Sequence, residues 1–458
     1  MKISNQFESK RVLKAVEANH GIADFEDIKG THQIFHHEVN SYNIVMGKEL
    51  EADELFRALS TFIEAETRVS YDIDVDSFLN IVRKEDHETL INILVNAVEY
   101  GSMIPWTLNK KLGAERPEHT LVITDHCMTK LAQERHQVAK DRNFARSLQD
   151  MPSNLMVPGK FVELMKEHFA GLNVKITVLE RKELEEKGMN LLVGVGQAAT
   201  KEADQPRLMV IEYLGNPENK EELIGFVGKG VCFDTGGNNI KISGHMRWMK
   251  YDMSGAAIVG STLHALATNN VKVNAVAVMP LVLNLCDTNA QRPDDVIVSY
   301  NGMSVEIDNT DAEGRLILAD ALTYAVRDLK VTEVYDIATL TGAMVFSLGN
   351  TYSGIWASTN DVWHRIEAQA EKAGELVWRL PFHHDFKDLL SSRYADIANS
   401  VADMRGGSSR AAAFLREFTE GKPYGHFDVA ATADKDFRNQ HKGTGAIVNT
   451  FYNIAKNR

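Results

Sequence analysis

The sequence predicts an α/β protein of two domains: a smaller N-terminal α/β domain and a larger C-terminal domain, whose central mixed, largely parallel sheet is flanked by helices. Three observations carry this. A chain of 458 residues exceeds the usual size of one domain. In the second part of the chain, apolar runs of strand length alternate with segments of helical period, the order expected of a parallel sheet with crossover helices. Between the parts lies a polar stretch, "KLAQERHQVAKDRNFARSLQDM", closed by "PSNLMVPG"; it reads as a helical linker ending at a Pro-marked junction. The expected division is residues 1–128, a linker at 129–160, and 161–458.

Taken in order, "ESKRVLKAVEAN", "ADELFRALSTFIEAE" and "HETLINILVNAVEYG" have the spacing of amphipathic helices, and "HTLVITDH" reads as a strand. Beyond the linker, "VKITVLE" is a strand and "RKELEEKG" a helix, followed by the strands "RLMVIEYLG" and "ELIGFVGKGVCFD". Then come a helix in "DMSGAAIVGSTLHALATN", a strand in "VKVNAVAVMPLVLN", a helix in "GRLILADALTYAVRDL" and a strand in "VTEVYDIATL". Sites in such sheets form beyond the carboxyl ends of the strands.

Composition narrows the class. The chain is 44% hydrophobic and 25% charged, as globular proteins are. A net charge of −13 disfavours non-specific nucleic-acid binding, which needs a basic face. The three cysteines, Cys127, Cys232 and Cys286, are far apart and form no CxxC pair, so a reducing compartment is expected. The start lacks an apolar signal core, and no apolar run approaches the ~20 residues that span a bilayer. A cytoplasmic protein without membrane partners is the expectation.

Two stretches crowd charge against apolar elements. In "IDNTDAEGRLILADAL", Asp311, Glu313 and Arg315 alternate just before a helical pattern. Acids in a first helical turn offset the helix dipole, which is one reading. If the run is instead extended, the three side chains point the same way, and two close carboxylates call for a cation between them. In "FVGKGVCFDTGGNNIKISGHMRWMKYDMSGAA", Lys229, Asp234, Lys241 and Asp252 fall at strand ends and before a helix. The glycine order is not that of a P-loop, and a GxGxxG fingerprint is absent. Singly these are a loop lysine, turn formers and a cap. Together, carboxylates from separate strand ends suit a two-metal hydrolase.

The segments "GKGVCFDTGGNNIK", "MKYDMSGAA" and "NTDAEGRLILADAL" resemble the cytosolic leucine aminopeptidases, dimetal metallopeptidases, and "NTDAEGR" matches their signature throughout. Resemblance continues through "DIATLTGAM", "YSGIWAS", "VWRLPFHHDF", "YADIANS" and "HFDVAATA", over roughly residues 140–440. It implies a hydrolase that releases N-terminal residues, preferably Leu or other apolar ones, from short peptides. Lys229, Asp234, Asp252, Asp311 and Glu313 fall on the family's ligands for two divalent ions, Mn²⁺ or Zn²⁺, with Asp234 and Glu313 bridging. Lys241 and Arg315 fall on its catalytic residues: Lys241 as a donor to the developing oxyanion, Arg315 as the holder of a bicarbonate general base. Met249, Thr339, Leu340, Gly342, Ala430 and Ala433 match the substrate-binding positions, with the Leu340 carbonyl near the substrate's α-amine. A homohexamer is also implied.

The chain departs from the family in places. Cys232 and Thr235 stand in "VCFDTGG", Ile242 follows the catalytic lysine, and "NSVADMRGGSSRAAAFL" replaces a shorter Gly-rich loop. The N-terminal 125 residues match poorly. A rival metal site in "HQIFHHE" (His32, His36, His37) or "HHDF" (His383, His384, Asp385) lacks the HExxH order. The alternative from another class is a catalytically weak binding or regulatory protein on the same scaffold, able to bind DNA; the acidic charge argues against it.

Overall fold

The computed structural model describes residues 1–9, 11–17, 34–38, 41–109, 115–403 and 405–458, the stretch 34–38 by its backbone alone. Two compact units emerge: residues 1–143 with 371–375, and residues 144–370 with 376–458.

The first unit contains strands β1 (Lys2–Ser4), β2 (Val12–Glu17), β3 (Ile34–Glu38), β4 (Ser41–Met46), β5 (Asp72–Asp74) and β6 (Thr120–Val122). They form one six-stranded sheet in the order β1-β6-β5-β2-β4-β3. All its pairings are parallel except β3 with β4. Helices α1 (Ala52–Ala65), α2 (Val75–Leu79) and α3 (His87–Ser102) belong to the same unit. Leu55, Leu59 and Ile63 of α1 and Leu90, Leu94 and Val98 of α3 are buried with Leu13, Ile44 and Ile73 of the strands in one apolar core.

One expectation is overturned here: "ESKRVLKAVEAN" is not a helix but holds strand β2. Leu13 and Ala15 are buried with Lys14 exposed between them, the period of a half-buried strand. A run of six residues is too short for the apolar spacing to separate helix from strand.

Helix α4 (His126–Asp150) covers the polar stretch before the Pro-containing segment. The second unit then runs α5 (Pro158–His168), β7 (Lys175–Leu179), α6 (Arg181–Lys187), α7 (Asn190–Gly196), β8 (Arg207–Leu214), β9 (Ile224–Gly228), β10 (Gly230–Asp234), α8 (Ser254–Thr268), β11 (Asn274–Asn284), β12 (Val296–Val298) and β13 (Ser304–Glu306). It continues through α9 (Glu313–Arg327), β14 (Glu333–Ala338), α10 (Ala343–Leu348), β15 (Ser353–Ala357), α11 (Asn360–Ala373), β16 (Val377–Arg379), α12 (His384–Asp388), β17 (Ile397–Ala398), α13 (Gly407–Arg416), β18 (Tyr424–Asp428) and α14 (Val448–Lys456).

Nine strands form the main sheet, in the order β16-β15-β18-β14-β9-β11-β8-β7, with β10 also pairing with β11. Its centre, β18-β14-β9-β11, is parallel, while β15 with β18 and β8 with its neighbours are antiparallel. The sheet is therefore mixed with a parallel heart, as expected. Strand β11 is buried along all its eleven residues, which is why "NAVAVMPLVLN" shows no alternation. The pairing places the carboxyl ends of β9, β14 and β18 side by side, and likewise those of β10 and β11.

Candidate metal centre

Six of the expected residues gather beside those strand ends: Lys229, Asp234, Lys241, Asp252, Asp311 and Glu313. Lys229 sits in the break between β9 and β10. Its backbone N–H donates to Ile337 O of β14 at 3.0 Å, and its carbonyl accepts from Ala256 N at 2.8 Å. So fixed, its Nζ lies 2.8 Å from both Asp252 Oδ1 and Glu313 Oε1 and donates to Thr339 O at 2.9 Å. Gly314 leaves room for this ammonium, since a Cβ there would lie 2.8 Å from Nζ. Lys241 closes a second set, with Nζ 2.8 Å from Asp234 Oδ2 and 2.5 Å from Asp311 Oδ1.

Each carboxylate is aimed by its own support. Asp234 ends β10, and its Oδ1 accepts from Gly236 N and Asn284 Nδ2, both at 2.8 Å. Gly236 turns there at φ +87°, which an L side chain rarely adopts. Asp252 follows a short 3₁₀ turn, Met249–Tyr251. Lys250 Nζ and Tyr251 OH tie this turn to Asp150 of α4 at 2.6 and 3.0 Å, and Thr339 Oγ1 donates to Asp252 Oδ1 at 2.8 Å. Asp252 Oδ2 is buried without a hydrogen bond.

The Asp311–Arg315 run is not extended. Glu313 begins α9, and Arg315 stands on its first turn. Asp311 and Glu313 still meet, because the chain bends at Ala312 (φ −114°, ψ 41°) as it enters the helix. Arg315 points elsewhere: its Nη1 donates to Asn399 O at 2.6 Å.

The electrostatics are those of an acid-rich hollow. Burial raises the Asp234 and Asp252 carboxyls, with Glu313 adding to both. Burial, Glu313 and Asp234 push Asp311 up to about 7. Burial acts against the charge of Glu313 too, but Lys229 and Lys241 hold its carboxyl below its ordinary value. Burial likewise opposes the ammonium of Lys229; Asp252, Glu313 and Asp234 outweigh it and raise the group.

A donor set of this kind fits divalent cations. Donor atoms of Asp234, Asp311 and Glu313 lie within 4.8 Å of one another. The orphaned Asp252 Oδ2 offers a further hard oxygen. Four acids against two lysines leave excess negative charge for cations to balance.

Of the substrate-binding positions, Thr339 and Met249 adjoin Asp252. The carbonyl facing Lys229 is that of Thr339, one residue before Leu340. Leu340 N and Ala430 N donate instead to Asp428 Oδ1, at 3.2 and 3.1 Å. Gly342 precedes α10 and is exposed, while Ala433 is fully buried. In the rival clusters, His383, His384 and Asp385 come together on an exposed turn. His32 lies outside the described residues, and His36 and His37 are described by backbone only.

Sequence reasoning missed two asparagines. Asn284 Nδ2 donates to Asp234 Oδ1 and to Thr310 O, at 2.8 and 3.1 Å, joining the two ligand loops. Asn399 Oδ1 accepts from the amides of Asp308 and Asn309 at 2.9 and 3.2 Å, and its carbonyl takes Arg315. The visible signal for Asn284 was a polar residue closing a long apolar strand.

The cytosol aminopeptidase family, by its catalytic domain, matches residues 143–452. The chain belongs to the cytosol aminopeptidase family. A probable cytosol aminopeptidase of Mycoplasma pneumoniae is 42% identical, over 99% of both chains. One of Mycoplasma genitalium is 44% identical over 90% of this chain and 92% of its own. Among solved structures, the bottromycin maturation enzyme BotP in complex with Mn aligns with a TM-score of 0.87 and 26% identity, over 98% of this chain and 99% of that one. Membership makes this cytosol aminopeptidase homologue a metal-dependent aminopeptidase, a hydrolase of the leucyl aminopeptidase type acting on peptides. No helix among the described residues is long and apolar enough to cross a membrane.

Proposed function

We propose that this enzyme releases N-terminal amino acids, preferably Leu or other apolar ones, from short peptides, using two divalent ions. The observation that carries the reading is the interlocked set of Lys229 with Asp252 and Glu313 and of Lys241 with Asp234 and Asp311. Asp234, Asp252, Asp311 and Glu313 would hold the ions, with Asp234 and Glu313 shared between them, and Lys229 would join them as a neutral amine, since neighbouring dications would lower its pKa enough to remove the proton. Bound ions of this kind polarise a carbonyl and lower the pKa of water towards neutrality. Mn²⁺ or Zn²⁺ suits the oxygen-rich donors, and BotP, of matching fold, is described in complex with Mn.

The chain's own groups then divide the work. Asp252 and the Leu340 carbonyl receive the substrate's free α-amine, so a blocked N-terminus does not fit. Lys241 donates to the scissile carbonyl oxygen as negative charge develops on it. Arg315 holds bicarbonate, which supplies a general base when bound. Met249, Thr339, Gly342, Ala430 and Ala433 shape the side-chain pocket, whose small or apolar character favours Leu. The domain division at 1–128, 129–160 and 161–458, a homohexamer and a cytoplasmic location complete the reading; the relatives' name supports the last.

Hydrolysis of Leu-p-nitroanilide tests it. Dialysis against a chelator should abolish activity, and Mn²⁺ or Zn²⁺ should restore it. Full activity in rigorously metal-free protein would sink the proposal.

A further inference from the structure

Side chains at the C-terminal end of α4 reach into two segments beside the centre, and none of them is a metal ligand. The Asp150 carboxylate is their pivot. Its Oδ1 accepts from Tyr251 OH at 3.0 Å and from Gly443 N at 2.8 Å, and its backbone carbonyl accepts from Lys250 Nζ at 2.6 Å. Gln149 Nε2 donates to Ser254 Oγ at 2.7 Å and to Ala433 O at 3.1 Å, and its Oε1 accepts from Gly445 N at 3.1 Å. Gly443 lets the chain come this close, for a Cβ there would lie 2.7 Å from Gln149 Cβ. One helix end therefore grips residues 250–254 and residues 433–445 at once.

This grip costs stability, and the turn it holds is strained. Asp150 is 6% exposed, and its Oδ2 is buried without a hydrogen bond. Burial raises the carboxyl, and Gly443 N, Arg146, Tyr251 and Lys250 only partly offset this. A buried carboxylate left half satisfied is unfavourable in itself. Trp248, which opens the turn, has φ +73°, a left-handed backbone uncommon for a bulky side chain. Such a conformation persists where its surroundings over-determine it, and it collects at functional positions. Trp248 also lies flat on His441, with ring centroids 4.5 Å apart and 11° between the planes, so the two gripped segments touch each other. His441 is fixed in turn by Asp434, Nδ1 to Oδ2 3.1 Å. Met249 and Asp252 stand on the turn, and Ala433 opens the other segment.

We propose that Asp150 is a positioning residue for substrate recognition: by holding the Met249–Asp252 turn against the segment that begins at Ala433, it fixes the width of the pocket for the substrate's N-terminal side chain and so sets the preference among N-terminal residues. This role rests on the aminopeptidase reading, in which Met249 and Ala433 are pocket walls. A pocket tells Leu from Ala by the extra apolar surface that it covers, an isobutyl group against a methyl. That advantage exists only while the walls stay in contact, since a gap of about 0.5–1 Å already forfeits a quarter to a half of the attraction. A freed turn would widen the pocket, whereas Lys241, Asp234, Asp311 and Glu313 have supports of their own and would stay in place.

The test compares the metal-loaded enzyme with Asp150→Ala and Asp150→Asn. One readout is kcat and KM on Leu-p-nitroanilide and on Ala-p-nitroanilide; the other is the shift in Tm on adding L-leucine instead of L-alanine. The unaltered enzyme should prefer the Leu substrate by about tenfold or more. Asp150→Ala should cut this to about threefold or less, through a higher KM for the Leu substrate, and should lose the extra Tm shift with leucine. Asp150→Asn keeps an oxygen for Tyr251 and Gly443 and should retain most of both. If Asp150→Ala slows both substrates alike and lowers Tm with the Leu preference intact, the positioning role is refuted, since Asp150 would then only brace the fold. Loss of the preference as complete in Asp150→Asn as in Asp150→Ala would refute it too, because the two hydrogen bonds to Oδ1 would not be what sets the pocket. Tyr251→Phe removes one of those bonds, leaves the ring, and decides by the same readouts if Asp150→Ala does not fold. Hydrolysis of neither substrate by the unaltered enzyme would fail the aminopeptidase reading, while the leucine shift would still judge Asp150.

Discussion

Glu313 stands where two sets of ligands meet, being touched by the Lys229 ammonium and lying close to Asp234 and Asp311. Asp252 touches only the Lys229 side. Glu313→Gln should therefore empty both ion positions and Asp252→Asn mainly one, as read by metal analysis after gel filtration; equal occupancy in the two variants would contradict the assignment. Lys241 has a different part. Its ammonium is raised above the ordinary value, because Asp234, Glu313 and Asp311 outweigh burial. Lys241→Ala should leave the metal content near normal and cut kcat by about 10²–10³. A rise in KM alone would make Lys241 a binding residue. The acids and lysines of this centre were legible in the sequence because the chemistry needs those residue types on short, glycine-punctuated loops. Asn284 and Asn399 were not, since an amide that orients a ligand by two hydrogen bonds has no spacing rule of its own.

Helix α9 shows how an element gives the centre a footing. All but its last residue is buried, so Glu313 and Arg315 project from a rod with no freedom to drift. A further acid on it, Asp320, does structural work: its Oδ2 accepts from Leu191 N and Leu192 N at the start of α7, and its Oδ1 from Tyr300 N. Burial nevertheless raises this carboxyl from 3.8 to about 7. A carboxyl whose folded pKa exceeds its unfolded one binds an extra proton in the native state. The stability it gives is therefore present in acid and lost as pH rises through that interval. Asp320→Asn does not titrate, so the stability gap between the wild type and this variant should shrink by about 2–3 kcal/mol from about pH 5 to about pH 8. Calorimetry at the two pH values reads this, and a gap that widens with pH would refute it. Elements as long and as periodic as α1, α3 and α9 announced themselves in the sequence. Strand β2 did not, because its pairing with β4 and β5, remote in sequence, decides its conformation.

At the scale of the whole molecule, the open choice is how substrates are selected by size. The family resemblance implies a hexamer, a dimer of trimers, with the active sites facing an inner cavity. On that reading the C-terminal domain makes the trimer contacts and the N-terminal domain joins the trimers. Composition says nothing of this, and a net charge of −13 per chain would have to be spread away from the contacts. Light scattering should give about six times the 51.1 kDa chain mass. Enclosure has a kinetic consequence that mass alone does not test. Short peptides would diffuse to Lys241 and Arg315, whereas a folded protein with an accessible N-terminal Leu would stay outside and be spared. Trimming such a protein before and after unfolding it compares the two cases directly, because the N-terminal sequence is unchanged and only bulk differs. Cleavage confined to the unfolded form fits an enclosed site. Equal rates on both forms, or full activity in a monomer, would mean that the sites open to solvent, and substrate choice would then fall to the pocket.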